Sequence, residues 1–144
     1  MLRINPKKYV RKSIADALAT ATGLKVWDKK VPKDFEPKPT QYILISSQVL
    51  NQTEESKEDF EWLMQTVVDI VNVEEAGYAS TVDNDDVEQL VNTAILDGIQ
   101  VLYFDVKETK LIDSLDLNIE TPTNSIYRRV ITFQHWLQQN IITT

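Results

Sequence analysis

The sequence predicts an α+β domain: a largely antiparallel or mixed β-sheet with two α-helices packed on one face and long hairpin arms. Apolar residues recur at helical spacing in two separate stretches and alternate along several others. The order is helix, strands, helix, strands, which suits segregated layers rather than a doubly wound sheet. A length of 144 residues, 42% hydrophobic and 26% charged, fits one soluble domain, taken as residues 1–144. A globule of this size buries roughly 70% of the surface its unfolded chain exposes.

The first helix is expected over 6–22. Asn5 caps it, Pro6 suits its first turn, and Val10, Ile14, Ala17, Leu18 and Ala21 form one apolar stripe that Gly23 ends. Leu24–Trp27 reads as a short strand. Pro32, Pro37 and Pro39 make 28–39 an extended loop. TQYILISS (40–47) is β-branched and aromatic and reads as a strand; the polar stretch 48–58 reads as a loop. Phe60–Val73 is a long strand with Phe60, Trp62, Met64, Val68 and Ile70 on one face, and 74–82 a turn. Asp83–Val101 is the second helix, its face made by Val87, Leu90, Val91, Ala94, Ile95 and Ile99. Its acidic start suits the helix dipole, and Gly98 lies near its last turn. Residues 110–119 read as a strand, 120–125 as a turn, and Ile126–Leu137 as a last strand. Tyr127, Ile131, Phe133 and Leu137 face inward on it; Arg128, Thr132 and Gln134 face away.

Composition removes much of the usual catalytic chemistry. There is no cysteine, one histidine (His135) and three glycines, so thiolate nucleophiles, multi-histidine metal sites and glycine-rich phosphate loops are excluded. His135 lies on the apolar side of its strand without a related nucleophile or acid, and is expected to be structural. Asp83–Asp86 resembles a calcium loop but lacks the loop glycine and has Ala94 where the twelfth-position glutamate would stand, so helix capping is expected. Asp69 and Glu74 could serve a metal nuclease only with a lysine beside them, and Asn72 and Val73 are there instead. Ser46 and Ser47 have no glycine elbow. Trp27, Trp62 and Trp136 are expected as core or interface anchors. No catalytic residue, metal or cofactor is expected, and no apolar run is long enough to span a membrane.

Charge is unevenly spread. Residues 1–40 hold ten Lys/Arg and four Asp/Glu, net +6; residues 41–144 hold five and eighteen, net −13, giving the chain its −7. That split does not suit a general nucleic-acid binder. It does suit a heterologous contact between copies, positive surface against negative.

The segments "IADALATATGLKVW" (14–27), "VPKDFEPKPTQYILIS" (31–46), "VVDIVNV" (67–73) and "YRRVITFQHWL" (127–137), in that order, resemble the tail terminator (tail completion) proteins of long-tailed bacteriophages. The likeness spans nearly the whole chain and rests on apolar and turn patterns rather than a catalytic signature. It implies a non-enzymatic virion protein, assembled in the host cytoplasm as a ring (a homohexamer in that family). The ring caps the tail tube, ends its polymerisation and joins it to the head–neck connector. The implied partners are other copies of the chain, the tail tube protein and the connector protein, with DNA passing through the lumen. Segment 104–125 is longer than the family pattern, which keeps a neighbouring neck protein open as an alternative, with a small metal nuclease behind it. Arg128 and Arg129 are then expected to make intersubunit or tube-facing ion pairs. Contact residues are expected in 29–39, 49–59 and 107–124: Lys29, Lys30, Phe35, Glu54, Glu55 and Lys110.

Overall fold

A computed structural model describes residues 3–35, 40–52, 60–75 and 82–140. The element order is α1 (Lys7–Thr22), β1 (Val26–Asp28), β2 (Gln41–Gln52), β3 (Glu61–Glu75), α2 (Val82–Leu96), β4 (Phe104–Glu120) and β5 (Asn124–Gln139). The five strands form one mixed sheet in the order β1-β2-β3-β5-β4. Only β1–β2 is parallel; the other three pairings are antiparallel. This is the expected α+β architecture, with β4 and β5 as the long hairpin.

Both helices lie on one face of the sheet. The core joins Val10, Ile14 and Leu18 of α1 and Val87, Val91 and Ile95 of α2 to Ile43, Ile45, Met64, Val68, Ile70, Ile131, Phe133 and Leu137. Each fully buried aliphatic of this kind stabilises the fold by about 1.5–3 kcal/mol, so the three on α1 outweigh its weak local signals. One such weakness is the first turn, which holds Lys7 and Lys8 but no acidic residue. Asn5 offsets part of it, its Oδ1 accepting the Lys7 N–H at 2.9 Å. Gly23 closes the helix in the left-handed region, φ 72°, its N–H donating to the Ala19 carbonyl at 3.0 Å. A Cβ at Gly23 would meet nothing within 4 Å. Gly23→Ala therefore carries only the backbone cost, an expected loss of about 1 kcal/mol in urea unfolding; no loss would mean that the turn relaxes.

Several boundaries differ from expectation. Residues 48–52 are strand, not loop, because they pair with Trp62–Thr66. Their polarity belongs to an edge: Gln48 donates from Nε2 to the Lys7 carbonyl at 3.1 Å and accepts from Arg11 at 3.2 Å. The second helix ends at Leu96 rather than Val101. Gly98, at φ 109°, turns the chain outside the helix, and Ile99 and Val101 reach the core from the segment beyond it. The strand expected over 110–119 starts at Phe104, and the turn expected over 120–125 narrows to 121–123, because Glu120 still pairs with Ser125. Glu74 and Glu75 extend β3. The rest of the expected turn, residues 76–81, lies outside the described residues, as do Glu54 and Glu55.

Candidate functional site

The register sorts the charged residues by face. Asp69 of β3 pairs laterally with Leu44 and Val130, placing it on the outer face, opposite the helices. It is 1% exposed, and its carboxylate accepts from Arg128 of β5 and from the Ser46 hydroxyl at 3.0 Å. Ser46 sits at a bulge in β2, which lets the hydroxyl reach across. Burial raises the pKa of neighbouring Tyr42, with Arg128 lowering it and Asp69 raising it.

Arg129, one residue on, turns to the helix-covered face and is 8% exposed. It joins three elements: Asp85 of α2 at 2.8 Å, Glu88 of α2 at 3.4 Å, and Asp116 of β4 through Nε. Burial opposes its charge, but hydrogen bonds to Asp116 and Asp85 and the fields of Asp116 and Glu88 override this and raise its pKa. Glu88 also accepts from Ser114 of β4, and Asn84 donates to the Tyr127 carbonyl at 3.3 Å. Together these fix α2 across the β4–β5 hairpin. The acidic first turn of α2 thus has a tertiary partner as well as a dipole to answer, and Asn84 was invisible to pattern reasoning because a polar residue there looks like surface.

Both arginines therefore have ion-pair partners within their own chain. Among the other residues expected at contacts, Lys29 and Lys30 are exposed just past β1, Lys29 at φ 69°. Phe35 lies edge-on to Trp27 at 4.9 Å, and Trp27 contacts Tyr42 the same way at 5.9 Å, so the proline-rich loop is anchored to the first two strands. Lys110 pairs with Glu108 at 3.3 Å along exposed β4. These residues do not converge on one pocket; Lys29 and Lys30 lie at one sheet edge and Lys110 at the other.

Among the described residues, His135, Asp69 and Glu74, the candidates for catalytic chemistry, stand apart from one another along β3 and β5. His135 is fully buried, its Nδ1 3.2 Å from the Thr109 hydroxyl, and burial lowers its pKa to about 4. Asp69 and Glu74 lie on opposite faces of β3, and Glu74 accepts from Asn72 at 3.1 Å. Among the described residues, no three His, Asp or Glu side chains gather as a metal site. The distinctive surface is β4: residues 111–120 are all exposed, with Leu115, Leu117 and Ile119 44–48% accessible.

The fold recurs in a virion. A chain of the solved virion of a native gene transfer agent particle matches with a TM-score of 0.73, over 94% of this chain and 99% of that one, at 12% identity. No family model and no curated protein matches the sequence. At that identity the likeness establishes a common fold.

Proposed function

We propose that this chain is a non-enzymatic structural protein of a phage-like virion, one that assembles in the host cytoplasm as a ring. The ring caps the tail tube, stops its polymerisation and offers the head–neck connector a new surface, with DNA passing through its lumen. The observation that carries this is the near-complete mutual coverage, 94% and 99%, with a chain of a gene transfer agent virion. The sequence resemblance to tail terminators points the same way independently. So do the outward-facing features: charge segregated along the chain, an exposed hairpin, and polar clusters that link elements rather than line a cleft. Among the described residues no helix is long and apolar enough to cross a membrane.

The mechanism is steric and electrostatic. One ring face matches the last tube ring and occupies the site where another tube subunit would add. The acidic net charge of −7 keeps affinity for DNA low while it slides through. Native mass measurement is expected to show a discrete ring. Particles lacking the protein are expected to show tails of irregular length, detached from heads. Tails of normal length that merely fail to join would reassign the chain to the connector. A monomeric protein whose loss leaves joined particles would overturn the proposal.

A further inference from the structure

The two edges of the sheet are unlike. On one side lies β4, 17 residues long, whose one strand neighbour among the described residues is β5. Its exposed half, 111–120, contains Asp113, Asp116 and Glu120 and no cation, together with aliphatic side chains 42–48% accessible. Long apolar edges invite pairing with another strand, and proteins that remain monomeric shorten, charge or cover them. On the other side β1 covers only Ile43–Ile45 of β2. Where that cover ends, a groove of about 120 Å³ opens, with Lys7, Arg11 and Lys29 on its walls against one carboxylate, Asp28.

We infer that the β4 edge of one copy seats against this basic β1–β2 edge of the next, head to tail, as the contact that builds the ring proposed above. Three features of the fold favour this occupant. Charge is the first: Asp116 is already answered by Arg129, but an isologous β4–β4 contact would bring Asp113 and Glu120 of two copies together, whereas the opposite edge offers cations. Level is the second. Ser47, on the groove wall, pairs with Val67, Val67 with Thr132, and Thr132 with Asp113. Asp113 and Ser47 of the groove wall thus lie on one row across the sheet, so a second copy continuing the sheet brings Asp113 to the level of the groove. Direction is the third. β4 runs against β5, β5 against β3 and β3 against β2, so β4 of one copy would meet β2 of the next antiparallel, like every long pairing already in the sheet. A heterologous contact of this kind closes into a ring when its rotation permits.

Two double variants test it. Asp113→Lys with Glu120→Lys makes both edges basic; Lys7→Glu with Lys29→Glu makes both acidic. None of the four side chains lies in the core or in the Arg128 and Arg129 clusters. Each variant alone is expected to dissociate at about tenfold higher protein concentration than the wild type, or more, since exposed attractions become repulsions. Mixed in equal amounts, they are expected to recover the wild-type mass as an alternating assembly, because each reversed edge now faces its complement. Circular dichroism of the separate variants checks that both are folded. If the wild type forms a ring and both variants keep it unchanged, or the mixture fails to restore it, the edge contact is wrong while the ring stands. If the wild type is a monomer at every concentration, the ring itself fails and the contact with it.

Discussion

Arg128→Ala is expected to lower the free energy of unfolding by about 3 kcal/mol, the low end of what breaking a buried ion pair costs. The side chain of Arg128 is one-third exposed, but that of its partner Asp69 is only 1% exposed, and after the substitution Ser46 alone would answer a buried carboxylate. For 144 residues this corresponds to a fall in Tm of about 10 °C. Replacing both partners by apolar groups, Asp69→Leu with Arg128→Met, is expected to recover most of the loss, since no uncompensated charge then stays in the sheet. Urea unfolding of the two single variants and the double closes the cycle. A loss below 1 kcal/mol in Arg128→Ala would mean that solvent reaches Asp69 freely. The result also governs how ring experiments are read. Arg128→Glu would place two carboxylates together on the outer face, so a lost ring in that variant reports on folding before it reports on any intersubunit contact.

The sequence made the helix-facing half of this sheet legible because burial there is one-sided. Met64, Val68 and Ile70 alternate with polar or half-buried residues, and Ile131, Phe133 and Leu137 do the same on β5. Period-2 patterning fails where both faces see solvent. Residues 111–120 are exposed throughout, so nothing in their order marks where β4 begins, and only its pairing with β5 extends it back to Phe104. Residues 48–52 misled for a related reason, since Gln48 is polar in order to bond α1, not because it lies in a loop. Of the residues expected at contacts, the sequence picked out charge without its destination. Arg128 and Arg129 are adjacent, and alternation along β5 sends them to opposite faces with different carboxylates. Asp69, Asp85, Glu88 and Asp116 come from three separate elements, and no spacing rule joins them to β5.

His135 gives the fold an acid-sensitive point that can be isolated. It faces the core between Met64 and Thr109, fully buried, with its Nε2 lacking any hydrogen-bond partner among the described residues. Burial alone lowers its pKa to about 4, against roughly 6.5 in the unfolded chain. Between those values the unfolded state binds the proton more readily than the folded state, so stability rises with pH across the window and is flat above it. The folded protein is expected to lose about 2 kcal/mol from this group between pH 7.5 and pH 5, and about 3 kcal/mol once pH falls below 4. His135→Leu keeps an apolar side chain at the site and removes the titration. It forgoes one hydrogen bond with Thr109, a cost of about 1 kcal/mol that does not depend on pH. The measurement is the difference between wild type and variant in urea unfolding at pH 7.5 and again at pH 5. Carboxylates elsewhere titrate in both proteins and cancel. The variant is expected to be the less stable of the two at pH 7.5 and the more stable at pH 5. If the two proteins keep the same difference at both values, His135 is protonated within the fold, and the sheet must open there to admit water.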